Sequence, residues 1–535
     1  MMQQSTTRRD FLSKVAAGAL VSTAFGQQSA VGGVIGEPHA AEEGGKILQA
    51  GGNVVDAIVT GAATCAITAP HMCGFGGYGG QLILALEGGK KVTSIEFNTM
   101  APAAAKPDMF IKDGKPDNMA HQYGWRSVGV PGLAAGLDLA IRKYGTIGFA
   151  RAIAPAIRLC KDGFTVGPAT ETAFKNTVRL RKDPDSIKVY FPEGKAPTKG
   201  QLLRNPALAE VLQELASANS SEPFYKGQIA KKLCEDAARR GGLLEPKDMA
   251  AYKPRENEPV RWSYKDFEIC TSPITSGGVT ALQAMAIMAA MEQMGLKDAQ
   301  RFLAKVEALR YAWRDRLALF GDPDFVPNPT SRLLSEANCN AAAKEIFQAL
   351  QKGKCLPAAA KTNTQTGTIN LSAVDAKGNL AALTLTHGGT FGAQVTAGSV
   401  GLMMSHGLSR FNIEPGHPNS VAAGKRPLHN MCPIILLKNG RNHTALGGRG
   451  GRKIPNSAFE VTYQVVMAGK NLKEAIASGR IHTEGNLEVE LEPALGKEKV
   501  DALKAFGLNA KTGGSAVISA TSVENGVGSP TLAMR

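Results

Sequence analysis

Four threonines alternate through one polar stretch, Lys361-Thr362-Asn363-Thr364-Gln365-Thr366-Gly367-Thr368, which no packed core would demand. A threonine hydroxyl is a weak nucleophile until a base takes its proton. A free α-amino group, with a reference pKa of about 7.7–8.0, can be that base when the threonine is the first residue of a chain. A break just before one of these threonines would therefore place nucleophile and base in a single residue. By itself the Gly367-Thr368 step also reads as an ordinary junction between a loop and a strand.

Other residue types point away from other chemistries. The eight cysteines (Cys65, Cys73, Cys160, Cys234, Cys270, Cys339, Cys355 and Cys432) are far apart, without a CxxC pair or a Cys/His cluster. The nine histidines are equally scattered, and no HExxH stands among them. Neither a metal site nor a disulfide framework is expected, and no cofactor is called for. The glycine-rich run Pro70-His71-Met72-Cys73-Gly74-Phe75-Gly76-Gly77-Tyr78-Gly79-Gly80 resembles a phosphate loop only superficially. No Gly-Lys-Ser/Thr follows it, and the next element reads as a strand, not a helix. A net charge of +15 with 6% aromatics, and no basic block interleaved with aromatics, does not suit a nucleic-acid binder. It suits solubility and a mild attraction to anionic partners or surfaces.

The elements that must position such residues are legible in outline. With 535 residues, 43% apolar and 20% charged, the chain is long enough for two to four domains or for one large layered domain with a sizeable core. Residues 37–63 read as a helix, a Gly51-Gly52-Asn53 break, and a small-residue helix from Val54. Gln81 to Leu86 reads as a buried strand. Helices follow from Val128-Gly129-Val130-Pro131-Gly132 through Tyr144, and from Ala150 to Lys161. Residues 165–260 look mostly helical and polar, and an Ala/Met-rich helix runs from Val279 to Met294. Its methionines are expected to fill core space. Gly321-Asp322-Pro323-Asp324-Phe325 is a turn by composition. Ile369 to Val374 alternates like a half-buried strand, Asp375-Ala376-Lys377-Gly378 turns, and Leu380 to Leu385 returns. Thr368 thus stands at the head of a central hairpin. A further strand follows Lys425-Arg426-Pro427-Leu428, and a helix begins near Pro455, after Leu446-Gly447-Gly448-Arg449-Gly450-Gly451-Arg452.

The N-terminus reads as an address. Thr7-Arg8-Arg9-Asp10-Phe11-Leu12-Ser13-Lys14, with the apolar run Val15 to Phe25 behind it, resembles a twin-arginine export signal. The run is roughly half of what a spanning helix requires, so no permanent membrane anchor is expected. Cleavage after Ala24 or after Ala30 would fit, and a periplasmic or secreted protein follows.

Taken together, HAAEEGGKILQAGGNVVDA, PHMCGFGGYGG, VGVPGLAAG, GDPDF, GTINLSAVDAKGN, GKRPL and GGRGG stand in the order found in γ-glutamyltranspeptidases. The resemblance covers nearly all of residues 34–510. It implies an α/β (α+β) fold of the N-terminal-nucleophile (Ntn) hydrolase type, a four-layer αββα sandwich, made as a precursor that cuts itself into a large and a small subunit. After a signal over residues 1–30, residues 31–367 would form the large subunit and 368–535 the small one, together one domain. Cleavage would fall between Gly367 and Thr368, and Thr368 would be the nucleophile. It would form an acyl-enzyme that water or an amine resolves, as in γ-glutamyl transfer and glutathione hydrolysis. By the same resemblance Thr386 positions the nucleophile, and the backbone N–H groups of Gly450 and Gly451 form the oxyanion hole.

The substrate clamp departs from the family's pattern. Asn98 occupies the place of an arginine that binds the substrate's α-carboxylate, and cannot offer a charged bidentate fork. Arg410 stands where an aspartate would hold the α-ammonium, and His429-Asn430 replaces a Ser-Ser pair. Ile369-Asn370 replaces a small residue and a histidine. With His406 and His429 near it, Arg410 would suit an anionic acyl group lacking an α-amine, such as a dicarboxylic monoamide or an acylase-type substrate. A non-catalytic binding protein that kept the fold is a reading of a different class.

Overall fold

The computed structural model describes residues 26–29, 32–359, 367–523 and 531–535. Most of the export signal, and the threonines at 362, 364 and 366, lie outside the described residues.

In chain order, β1 (Gly26–Ser29) and β2 (Gly32–Ile35) lead into α1 (Pro38–Gln49) and α2 (Val54–Thr68). The Glu37 carboxylate accepts from the Ala40 N–H at 2.8 Å, and Asn53 and Asp56 form a reciprocal capping box, which explains the two helix starts. Every residue of α2 is buried. Small residues permit that: a Cβ on Gly44 would lie 2.8 Å from the Ala57 carbonyl oxygen, and one on Gly61 would lie 3.0 Å from that of Ala40. Overpacking at such a contact costs about 1–3 kcal/mol. Next come β3 (Gly79–Leu86), β4 (Lys91–Glu96), α3 (Leu133–Tyr144) and α4 (Phe149–Asp162), then a run of short helices. The chain continues with β5 (Arg255–Asn257), β6 (Val260–Tyr264), β7 (Phe267–Thr271), α5 (Gly278–Gln293), α6 (Asp298–Leu319) and α7 (Glu336–Gln351). After Thr368 follow β8 (Ile369–Asp375), β9 (Leu380–Thr386), β10 (Ile434–Lys438), β11 (Arg441–Arg449), α8 (Lys453–Val466), β12 (Val517–Ser522) and β13 (Thr531–Met534).

Two antiparallel sheets result, one ordered β1-β2-β8-β9-β3-β4-β5 and the other β6-β7-β10-β11-β12-β13. They pack face to face through Ile83, Ala85, Val374, Leu380, Ala382, Ile435, Leu437 and Ala445. Helices α1, α2 and α3 cover the outer face of the first sheet, with α4 packed on α2, and α5 and α8 cover that of the second, with α7 packed on α5. This is the four-layer αββα sandwich that the motifs imply.

The hairpin β8–β9 occupies the centre of the first sheet. Asp375 shapes its turn by accepting from the N–H groups of Lys377 and Asn379, both at 3.0 Å, and Gly378 takes φ +72°. One expectation needs correction: β8 is buried along its whole length, not half-buried. Its alternation separates two buried faces, an apolar one under α2 and a mixed one against the second sheet. On the mixed face, Thr384 donates to Asn370 Oδ1 at 2.8 Å, and Asn370 donates to Ser519 Oγ at 2.8 Å. Gly447 in β11 gives that amide room, since a Cβ there would lie 2.2 Å from Asn370 Oδ1. Buried polar groups satisfied in this way fix the register between the sheets. Among the described residues, no helix is long and apolar enough to cross a membrane.

Candidate active site

The register of β8 with β9 pairs Ile369 with Leu385, so Thr368 and Thr386 stand one step further along the same ladder. Both are buried. The Thr368 hydroxyl lies 2.7 Å from the Gly367 carbonyl oxygen and 3.4 Å from Thr386 Oγ1. The Thr386 hydroxyl donates to the same carbonyl oxygen, and itself accepts from the Gly388 N–H at 2.8 Å. Gly367 adopts φ +101°, and a Cβ there would lie 2.6 Å from the Gly389 carbonyl carbon, so only glycine reaches this position unstrained. The arrangement brings one hydroxyl beside a peptide carbonyl and a second onto its oxygen.

Gly450 and Gly451 follow β11 directly and open α8. Their carbonyls accept from Lys453 and Ile454 at 3.3 and 3.2 Å. Both glycines have positive φ, +140° and +63°, a conformation that L side chains resist. Arg449, just before them, and Ile369, just after Thr368, line one cavity of about 10 Å³. Backbone N–H groups at a helix N-terminus suit a developing oxyanion.

Of the remaining candidates, His406 and Arg410 lie beside Gly388, whereas Asn98, His429 and Asn430 lie along the segment from Pro427 to Asn430. A Cβ on Gly388, whose φ is +94°, would lie 2.5 Å from the His406 ring and 3.5 Å from Arg410 Nε. Arg410 sits in the single turn Gly407–Arg410, and its carbonyl is held by Asn419 Nδ2 at 2.8 Å. Burial lowers its pKa to about 10, with Arg452 pushing the same way and Tyr78 opposing. Its Nη1 has no hydrogen-bond partner, and no carboxylate among the described residues pairs with it. His429 is buried with both ring nitrogens unpartnered. Burial, then the charges of Arg316, Arg410 and Arg426, hold it well below the usual histidine range. His406 gives one ring nitrogen to the Gln122 carbonyl at 2.9 Å, and burial with Arg410 lowers its pKa to about 4. Asn98 donates to Thr275 Oγ1 and to the Pro427 carbonyl at 3.2 and 3.3 Å, leaving its Oδ1 unpartnered. Asn430 is drawn to Arg316, whose Nη2 lies 3.4 Å from Asn430 Oδ1 and 2.7 Å from the His429 carbonyl.

Three contributors escape a reading of the sequence. Tyr78 donates to the Pro427 carbonyl at 3.0 Å and stands edge-on to His429, with ring centroids 6.0 Å apart. An aromatic inside the glycine-rich run is the signal that could have marked it. Gly388 opens the space that His406 and Arg410 occupy, and belongs to a glycine pair just past Thr386. Arg316 lies buried in α6, over a hundred positions from what it positions, and no local pattern reveals it. Asp322, in the GDPDF turn, accepts from the Arg426 N–H at 2.8 Å and so ties that motif to GKRPL.

With this geometry in view, comparisons with known proteins are informative. The family described as gamma-glutamyltranspeptidase matches residues 40–529. The glutathione hydrolase proenzyme of Escherichia coli (strain K12) is 32% identical over 487 residues, covering 88% of this chain and 83% of that protein. The acylase ACY 1 proenzyme of Pseudomonas sp. (strain V22) is 31% identical over 487 residues, covering 89% and 86%. The crystal structure of cephalosporin acylase from Bacillus halodurans superposes with a TM-score of 0.84 at 23% identity, over 96% of this chain and 98% of that one, a likeness of fold.

Proposed function

Because the chain belongs to the γ-glutamyltranspeptidase family of Ntn hydrolases, we propose that it cuts itself between Gly367 and Thr368 and then acts as an N-terminal-threonine amidohydrolase or acyltransferase. One observation carries this reading: the hydroxyls of Thr368 and Thr386 converge on the Gly367 carbonyl.

In the first stage Thr368 Oγ1 attacks the Gly367 carbonyl carbon. The Thr386 hydroxyl, polarised by the Gly388 N–H, stabilises the oxygen as charge develops. The Thr368 hydroxyl proton passes to its own nitrogen as the C–N bond breaks, an ester replaces the amide, and water hydrolyses it to a Gly367 carboxylate and a free Thr368 amine. In the second stage that amine takes the proton from Thr368 Oγ1, which attacks the substrate's amide carbonyl. The N–H groups of Gly450 and Gly451 receive the oxyanion. The leaving amine takes a proton as it departs, and water or an amine acceptor resolves the acyl-enzyme.

Relatives named glutathione hydrolase support γ-glutamyl donors, and those named acylase support others. Arg410 favours the second group. A buried guanidinium without a carboxylate partner is costly until an anion reaches it, and it would repel an α-ammonium. The donor we favour is an amide whose acyl group ends in a carboxylate and lacks an α-amine. The twin-arginine segment supports export to the periplasm or beyond.

Denaturing electrophoresis of purified protein tests the first stage: two fragments are expected, the smaller beginning Thr-Ile-Asn-Leu, and a single uncut band would refute it. A panel of γ-glutamyl and dicarboxylic monoanilides tests the donor. Robust turnover of the γ-glutamyl compound alone would overturn the assignment made to Arg410.

A further inference from the structure

One part of the chain takes no part in the site as described. Phe164 and Thr165 pair with Leu203 and Leu202, and this two-residue ladder closes residues 166–201 into an excursion from the sandwich. Its aromatic side chains join the core under the first sheet, and the Phe174 ring meets Phe191 at 5.6 Å and Tyr190 at 6.1 Å. Nevertheless Val178 is 64% exposed, Leu202 48% and Ile187 37%. These are half of the six large hydrophobic side chains exposed among the described residues. Scattered singly they would need no explanation.

Here they are interleaved with cations. Val178 opens the turn Val178–Lys182, which carries Arg179, Arg181 and Lys182, and Ile187 adjoins Lys188 in the helix Pro184–Tyr190. Lys195 and Lys199 follow, both exposed. The acids of the same stretch do not neutralise them: Asp183 and Asp185 are taken by Arg240, at 2.7 Å each, and Glu171 by Lys175 at 2.7 Å. Exposed Glu193 opposes the pattern but leaves the balance basic. Apolar side chains set among unpaired cations are what the boundary between headgroups and acyl chains accommodates.

The excursion also leans on the donor pocket. Arg179 stacks over Tyr123 at 4.7 Å, and the neighbouring Gln122 carbonyl holds His406. Phe174 meets Phe391, just past the Gly388 turn, at 4.6 Å. We infer that residues 166–202 form an interfacial docking surface for anionic phospholipid headgroups, with Val178 and Ile187 entering the interface and Arg181, Lys182 and Lys188 supplying the charge. The inference is independent of which amide the enzyme cleaves. It places the enzyme peripherally on a bilayer, with its pocket close to the surface.

Co-sedimentation of the purified full chain tests this, using vesicles of phosphatidylcholine alone and of phosphatidylcholine mixed equally with phosphatidylglycerol. Binding to the anionic vesicles alone, weakened by salt, is expected. Replacing Arg181, Lys182 and Lys188 together by Glu should lower the bound fraction at least about tenfold, since each basic residue near an anionic surface adds severalfold to affinity. Val178→Ser with Ile187→Ser should lower it severalfold at constant charge. Self-cleavage and turnover of a soluble anilide should stay unchanged in both variants, which separates lost docking from lost folding. Undiminished binding by the charge variant would overturn the proposal. So would an apolar variant that binds vesicles and a soluble polyanion as well as the parent does, because the surface would then be a polyanion site.

Discussion

The Thr386 hydroxyl donates to the carbonyl oxygen of Gly367, and the Thr368 hydroxyl lies 2.7 Å from that same oxygen. The two threonines come from adjacent strands of one hairpin, one step beyond the Ile369–Leu385 pair. A β-ladder is a rigid way to hold two hydroxyls together, and the turn at Gly367 delivers the peptide bond between them.

Removing the Thr368 hydroxyl should stop both proposed stages. Thr368→Ala is expected to remain a single uncut chain with no amidase activity, whereas Thr368→Ser should still cut itself. Electrophoresis with an anilide assay decides this, and a cleaved Thr368→Ala protein would place the scission elsewhere.

Removing the polarising donor should slow the cut, not abolish it. Loss of one preorganised oxyanion donor typically costs about 10²–10³ in rate, and Thr386→Ala should convert precursor more slowly by that order. Thr386→Ser should recover most of the rate. The time course of fragment appearance is the measurement.

Arg410 should act on binding more than on turnover. A hydrogen bond to a charged group contributes about 1.5–3 kcal/mol, so Arg410→Met should raise KM for a carboxylate-ended anilide by roughly 10- to 150-fold, with a smaller change in kcat. An unchanged KM would remove Arg410 from the donor site.

How much of this was visible beforehand varied with the distance over which each feature is determined. The hairpin at Thr368 was legible because alternation, the Asp375 to Gly378 turn and the returning strand are local. The burial of both faces of β8 was not, because it depends on a second sheet contributed by residues far away. Asn370 could be seen only as a departure from the family's pattern, although it anchors the two sheets through Ser519 and Thr384. The substitution at Arg410 was plain, but that no carboxylate among the described residues pairs with it is a three-dimensional fact. Tyr78 and Arg316 act at a distance, and neither stands in a repeat or a spacing rule.

The histidines should make the fold acid-sensitive. Burial lowers His71, His121 and His406 to about 4 and His387 to about 3, from an ordinary 6.5. Between those values the unfolded chain binds protons that the native one does not, so their contribution is fully present above 6.5 and is lost as the pH falls toward 4. For the most deeply buried of them, His121 and His387, the slope is on the order of 1 kcal/mol per pH unit each. The thermal midpoint should therefore fall through this window, and His121→Asn, at a residue that lies against the Gly407–Arg410 turn, should flatten the profile. A midpoint independent of pH would contradict the buried neutral state.

Strands β8 and β9 enter the first sheet between β2 and β3, while β6 and β7 complete the second sheet beside β10. Each sheet thus combines segments from before and after Gly367. A cut at that bond leaves the strand order of both sheets in place, but it changes the molecularity of unfolding. The intact precursor loses its structure as one chain, and the cut protein does so by dissociating into two. Its midpoint should then rise with protein concentration where that of Thr368→Ala does not, and recovery after denaturation should depend on two fragments meeting again.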